Sequence, residues 1–530
     1  MKNIAFVKKL YQTARSLPAV NSSIQIMKSE EAMSSDKDKA LNADEIRQLE
    51  NETARNYPND SWRLHYHLMP PAGWLNDPNG LSEFNGINHI FFQYNPADIK
   101  PGAKNYWGHY QTKNFTDYDY LPPALSSDRE FDANGVYSGS AVPTPEGLKA
   151  YYTGNVKHPG NHDYTHTGRE HNTIVAEDFD GTFFNKKTVL MTNADYPEDV
   201  TLHVRDPKVF KRDGIWYMVL GARRNDDTGE VLVYSSDNAV NWNLAERIRY
   251  DEDFGYMWEC PDVVHPGEHD FLVFSPQGLK ADGDRFNNVY QTGWALADHF
   301  GSHTKLGEFH ELDRGFDLYA PQSFVDEDGR TILIGWMGLP DTEPEYTYLT
   351  KDRGWMHALT IPRVLTEKNE QLIQTPLPEL EQLRNDWTNV KLEGKPVSLP
   401  VSQAFEMKIT PEESCDSGTV VIREGCTLSW KNGRFTMSFE NSDGSVNPAG
   451  AGRTIRSAET GNVKEVRIFG DASSLEVFVN GGETVFTTRF FPDDKNQSVS
   501  IDGVQGQLDI WDLDSFRIHR PDGTPLYPEK

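Results

Sequence analysis

From about residue 59 the chain reads as short apolar runs broken by turn residues at close intervals. "GVYSGSAVPTPEGLKAYYTGN" is strand, turn, strand. "HVRDPKVFKRDGIWYMVLGAR", continued by "GEVLVYSSDNAVNW", has the same shape. "MWECPDVVHPGEHDFLVFSP" and "YAPQSFVDEDGRTILIGWMG" repeat it, and "WLNDPNGLSEFNGINHIFFQYNP" makes the fifth unit. Each unit opens on a polar or acidic motif and continues into an apolar strand, a turn and a second apolar strand. Repeating units of this size are what the four-stranded blades of a β-propeller require. The pattern therefore predicts an all-β protein with a five-bladed β-propeller over residues 59–372. A propeller arranges equivalent strand starts around one channel, so the opening motifs should converge there.

Near residue 376 the character shifts. "TPLPELEQLRND" carries two prolines and a helical run, and 373–391 reads as a linker. Alternating strands return over 392–530, as in "KEVRIFGDASSLEVFVNGGETVFTTRFFP", with "VNGGE" as a hairpin signal. This part is predicted to be a C-terminal β-sandwich. Residues 1–58 form a short, partly helical N-terminal extension. "SEEAMSSDKDKA" is polar and expected to be mobile. "NADEIRQLENETARN" predicts a surface helix, with Asn42 as cap and Glu45 three residues later as in a capping box.

Composition adds three constraints. At 530 residues the chain exceeds what one core usually serves, and 37% hydrophobic residues can fill two. With 52 basic against 80 acidic residues the net charge is -28, which repels nucleic acid and anionic membranes and suits neutral ligands. An anionic substrate would need a local basic pocket. The three cysteines, Cys260, Cys415 and Cys426, make neither a disulfide framework nor a zinc site, and a reducing compartment fits. No apolar run of ~20 residues exists. Lys8 and Lys9 cut the N-terminal apolar stretch too short for a secretory signal core, so a cytoplasmic protein is expected.

Three acids open three different units: Asp77 in "WLNDPNG", Asp206 in "HVRDPKVF" and Glu259 in "MWECPDVV". Singly each has a simple reading. Asp77 sits in a strong turn signal, Asp206 precedes a proline at a strand start, and Glu259 could be a surface acid or an arginine's partner. At equivalent places in a propeller they would share one funnel beside Trp74, Arg205 and Trp258. Carboxylates so placed repel each other, which pushes at least one pKa upward. A proton donor beside an ionised acid is the arrangement that glycoside cleavage needs, and tryptophans offer flat faces on which sugars stack. No nucleophile elbow, P-loop, dinucleotide fingerprint or zinc-protease motif is present.

"WLNDPNG", "FQYNP", "WGH", "YSGSA", "RDP", "WECPD", "YAPQ" and "GWMG" occur in the order found in glycoside hydrolase family 32, which the chain resembles over roughly 59–520. That family contains invertases, fructanases and bacterial sucrose-6-phosphate hydrolases, and "HLMPPAGWLNDPNG" and "WGHYQTKNF" resemble the bacterial cytoplasmic members most. The resemblance implies a retaining β-fructofuranosidase acting on sucrose, sucrose 6-phosphate or short fructo-oligosaccharides. Asp77 would be the nucleophile, Glu259 the general acid and base, and Asp206 the transition-state stabiliser. Asn76, Gln93, Trp107, Tyr137, Ser138, Arg205, Tyr319 and Trp336 match positions lining the fructose pocket. Tyr137 stands where phenylalanine is frequent, and Cys260 would pack beside Glu259 and tune its setting. No metal or other cofactor is implied. The expected partner is a small sugar, with no nucleic acid and no membrane, and a homo-oligomer stays open. A fructosyltransferase, a propeller glycosidase of other specificity and a non-catalytic sugar-binding protein are the alternatives. For a phosphorylated substrate, Lys113 is a candidate cation, with a solvated surface lysine as its simpler reading.

Overall fold

The computed structural model describes residues 40–102, 105–343, 345–413 and 415–527. The N-terminal segment with Lys8 and Lys9, and most of the polar stretch 29–40, lie outside the described residues.

Five sheets, antiparallel between their consecutive strands, follow one another along the chain. Their first strands are β1 (Gly73–Phe84), β2 (Val136–Thr144), β3 (Val200–Arg212), β4 (Met257–Val264) and β5 (Tyr319–Val325). β1 touches β2, β2 touches β3, and so on round to β5, which touches β1 again. The ring of sheets is thus closed, and it forms a five-bladed β-propeller with β1–β5 innermost. The next strands outward read as continuous apolar runs because both of their faces are buried between blades. In Ile215–Arg224, Leu220 faces the second sheet together with Leu232, while its neighbour Val219 joins Leu272 and Phe274 of the fourth. Each interface between consecutive sheets from the first to the fifth has its own apolar cluster of this kind.

All five inner strands lose register with their neighbours beside their motifs. The shifts fall between Leu75 and Pro78, Val136 and Gly139, Arg205 and Lys208, Glu259 and Asp262, and Tyr319 and Gln322. These are β-bulges, and proline is tolerated there because a bulge leaves a residue out of the ladder. Pro207, Pro261 and Pro321 occupy three of the five, and Pro78 closes the one in the first blade. The second blade has Gly139 instead, where a Cβ would lie 1.9 Å from the Tyr151 carbonyl oxygen. Asp206, Cys260 and Ala320 take the left-handed conformation at their bulges, with φ of 63°, 48° and 46°.

Two six-stranded sheets follow and form the β-sandwich. Ser417–Ile422 and Cys426–Lys431 alternate buried and partly exposed side chains along their length, the period-two pattern of a strand with one face on the core. The predicted hairpin is present: Ser474–Val479 pairs with Thr484–Arg489 across a turn in which Asn480 and Gly481 have positive φ.

Two boundaries differ from expectation. The stretch 373–391 is not a free linker. Gln371–Pro376 is the outer strand of the fifth blade, Pro378–Leu383 a 3-10 turn, and Arg384–Glu393 an edge strand of the sandwich. Most of that edge strand is exposed, so it lacks the hydrophobic alternation that would announce it. At the other end, Arg517–His519 leaves the sandwich and pairs in parallel with Asp117–Leu125 of the first blade.

Helix α1 (Ala43–Asn56) spans the predicted stretch. It is fastened at its buried Glu50, which accepts hydrogen bonds from the hydroxyls of Tyr94 (3.1 Å) and Tyr120 (2.6 Å) and pairs with Arg520 (3.0 Å). Among the described residues, no helix is long and apolar enough to cross a membrane.

Candidate active site

In a regular strand consecutive side chains point to opposite faces. At a bulge that alternation fails, and two successive residues can face one side. The inner strands use this. Asn76 with Asp77, Tyr137 with Ser138, and Arg205 with Asp206 line one cavity of about 260 Å³, joined by Glu259 and Tyr319. Gln93 and Trp336, on the second strands of the first and fifth blades, complete the set expected from the sequence.

Trp107 is the exception. It is fully buried between the first two blades, and its indole nitrogen donates to the Tyr137 carbonyl at 3.1 Å. It therefore holds the backbone of a lining residue and is not itself among the residues that line the cavity. Trp258 is likewise buried, between the third and fourth blades, because Glu259 next to it takes the cavity-facing position. The tryptophans that do reach the cavity are Trp74 and Trp336, packed edge to face at 5.9 Å. Lys113 is exposed on a separate surface cavity in the first blade.

The three acids differ in their partners. Asp77 accepts a hydrogen bond from Ser138 Oγ at 2.5 Å and one from Asn76 at 3.1 Å, and has no cation partner among the described residues. The Cys260 sulfur lies 3.7 Å from the same carboxylate. Asp206 accepts from the Cys260 N–H at 3.0 Å and lies 3.9 Å from Arg205. Glu259 is ringed by donors: Arg205 to Oε1 at 2.5 Å, and Gln277 and Tyr319 to Oε2, each at 2.6 Å.

Burial pushes the Asp77 carboxyl up to about 6; the Ser138 hydrogen bond opposes this and the Glu259 charge adds to it. Burial also raises Asp206, against the attraction of Arg205, with Glu259 and Asp77 adding to the rise. The like-charge crowding expected from the sequence is thus real, but desolvation is the larger cause.

Cavity size alone does not select this site. Two larger cavities, about 540 and 400 Å³, lie elsewhere. Every acid that lines them is paired with an arginine or lysine, as Glu50 is with Arg520 and Glu311 with Arg314. Only the smaller cavity among these three leaves a buried carboxylate such as Asp77 without a cation, and that is the mark of a working group. Among the described residues, no group of three or more His, Cys, Asp or Glu side chains is arranged to hold a metal ion.

Several lining residues were not singled out in the sequence: Arg169, His203, Gln277, Tyr290 and Asp341. Two had a signal. His203 precedes Arg205 by two positions on β3, the spacing of side chains on one face. Gln277 ends the second strand of its blade, as Trp336 lies near the end of its own. Arg169, in "THTGREHN", belongs to no recognisable motif.

Comparison with known proteins decides the family. The model of the glycosyl hydrolases family 32 N-terminal domain matches residues 67–376, and that of the family 32 C-terminal domain matches 379–519. The chain belongs to glycosyl hydrolase family 32. It is a glycoside hydrolase. Among this family's members it is 40% identical over 471 residues to the sucrose-6-phosphate hydrolase of Bacillus subtilis, which covers 86% of this chain and 95% of that protein. A solved family 32 structure, the sucrose-6-phosphate hydrolase of Lactobacillus gasseri, matches with a TM-score of 0.79 at 28% identity, covering 89% of this chain and 97% of that one. The Bombyx mori family 32 β-fructofuranosidase, solved as a mutant in complex with sucrose, matches at 30% identity and a TM-score of 0.73, covering 90% and 100%.

Proposed function

We propose that this glycoside hydrolase is a retaining β-fructofuranosidase that cleaves the terminal β-fructosyl bond of sucrose, sucrose 6-phosphate or short fructo-oligosaccharides. The observation that carries the reading is the pairing of a cation-free carboxylate, Asp77, with an arginine-held one, Glu259, in one aromatic-lined cavity. A nucleophile must offer its charge to the carbon it attacks, and a bound cation would compete for that charge. Asp77 attacks the anomeric carbon of the fructosyl unit, and the bond to the leaving oxygen breaks as Glu259, in its protonated form in the substrate complex, gives it that proton. The resulting fructosyl ester is then hydrolysed by a water that Glu259 deprotonates, which restores both groups. Asp206 holds fructose hydroxyls as positive charge develops on the ring. Trp74 and Trp336 supply apolar faces.

The relatives' names support sucrose and its 6-phosphate as substrates. None of the three cysteines is in a disulfide, which supports a reducing compartment and the cytoplasm.

The anomer released first tests the mechanism. Retention gives β-fructose as the initial NMR signal, and an initial α-anomer would move the protein to single displacement. Side-by-side rates on sucrose, sucrose 6-phosphate and a fructan rank the substrates.

A further inference from the structure

The wall that holds Glu259 continues past it. Arg205 is bound to Glu259 on one side and gives its Nη1 hydrogen to His203 Nδ1 at 2.7 Å on the other. The His203 ring meets the His171 ring edge to face at 5.6 Å, and His171 Nε2 accepts from Arg169 Nη1 at 2.9 Å. Both histidines are held neutral by burial, with the neighbouring arginines adding to the effect. They join the two arginines without neutralising either.

Arg205 is satisfied by Glu259; Arg169 has no such partner. It lines the same cavity, also donates from Nη1 to Asn155 at 3.3 Å, and has the Tyr137 side chain as a further hydrogen-bonding neighbour. Its Nε is buried without any partner. The strongest influences on its charge are burial, Tyr137 and Arg205, none of them a carboxylate. Lys157, directly across the ladder from Arg169, also lacks a carboxylate partner among the described residues. In a chain with 80 acidic and 52 basic residues, an arginine at a cavity and its cross-strand lysine, both without a carboxylate partner among the described residues, are out of keeping with their surroundings. Asp341, which lines the same cavity, follows the second strand of the fifth blade and is held by the Tyr290 hydroxyl at 3.0 Å.

Glu259 must face the leaving oxygen, so the leaving sugar lies along its wall. We infer that Arg169, with Lys157 beside it, is the seat for a phosphate monoester on the leaving hexose, and so selects sucrose 6-phosphate over sucrose. This rests on the reading of Glu259 as the acid. An arginine fork matches phosphate oxygens, and a lysine adds a second charge without demanding geometry.

The test compares the full chain with Arg169→Gln, Arg169→Lys and Lys157→Gln. The ratio of kcat/KM for sucrose 6-phosphate over sucrose should fall about ten-fold or more in Arg169→Gln, the scale of one charge-assisted hydrogen bond. It should fall less in Arg169→Lys and Lys157→Gln. Glucose 6-phosphate should inhibit sucrose cleavage more tightly than glucose or inorganic phosphate, and Arg169→Gln should erase that advantage. A ratio unchanged within about two-fold in Arg169→Gln overturns the assignment. If that variant does not fold, the lysine variants and the inhibitor ranking of the unaltered enzyme decide it, and equal inhibition by glucose and glucose 6-phosphate overturns it. Were the unaltered chain to cleave neither sugar, the β-fructofuranosidase reading would fall, and calorimetric binding of glucose 6-phosphate to wild type and Arg169→Gln would still judge the seat.

Discussion

Ser138 Oγ donates to Asp77 Oδ2 at 2.5 Å, a hydrogen bond that crosses from the second blade to the first. It stabilises the ionised carboxylate against the burial that lifts its pKa to about 6. The nucleophile works only when ionised, so activity should fall as pH drops through about 6. Removing the hydroxyl in Ser138→Ala takes away a bond to a charged group, worth about 1.5–3 kcal/mol. The acid limb of kcat/KM should then move up by roughly one pH unit or more. Full pH profiles of the two enzymes check this, and superimposable acid limbs would contradict it.

The same raised pKa makes Asp77 a cost to folding. A carboxylate lifted from 3.8 to about 6 binds its proton more readily in the native state, so stability declines between those pH values and stays lowered above them. Two units correspond to about 3 kcal/mol, and contact with cavity water reduces this to about 1–3 kcal/mol. Asp77→Asn should therefore be inactive yet melt higher than wild type at pH 7.5. The gain should vanish below pH ~4, where both forms are neutral. A lower melting temperature at pH 7.5 would show that the carboxylate stabilises the fold.

Glu259→Gln keeps most of the shape and removes the transferable proton. Sucrose, whose leaving alkoxide needs that proton, should lose far more rate than an aryl fructoside with an acidic leaving group. Equal losses on the two substrates would count against Glu259 as the acid.

How much of this was legible is clearest at individual residues. The acids announced themselves because each opens a repeat, and a propeller turns sequence period into spatial convergence. The strand pattern carried the blades, since runs such as "WYMVLG" can satisfy two apolar faces only between sheets. Trp107 was misread because a motif records that a residue is needed without saying which atom is used; here it is an indole N–H holding a backbone carbonyl. Arg384–Glu393 was missed because an exposed edge strand is polar on both faces. Arg169 and Gln277 reach the site from strands behind the bulges, and that reach depends on tertiary placement.

A buried junction outside the site gives one more expectation. His67 lies between Asp471 (2.8 Å) and Glu476 (3.0 Å) of the sandwich, and Glu476 also binds Arg363 of the fifth blade at 2.5 Å. Burial alone would lower the His67 pKa, but the hydrogen bonds it donates to the two acids, with their charge, outweigh it and raise it. A raised histidine contributes stability that is complete below its unfolded pKa of ~6.5 and disappears as pH rises through the folded value. His67→Gln leaves buried Asp471 without its cation, while Glu476 keeps Arg363, and should cost about 3–5 kcal/mol at pH 6. The gap from wild type should narrow toward pH 9, as read by chemical denaturation at each pH. A gap that widens with pH would reverse the assignment.

The five bulges have a mechanical side. Asn76 and Asp77 share one stretch of backbone, as do Arg205 and Asp206, so each carboxylate arrives with an escort fixed by local covalent geometry. Asp77 and Glu259 have no such tie. They stand on β1 and β4, which are not neighbours in the ring and are linked at the site by the Cys260 sulfur, 3.7 Å from Asp77. Breathing of the ring leaves the setting of each acid intact and changes the span between them, the one dimension that the sugar must bridge.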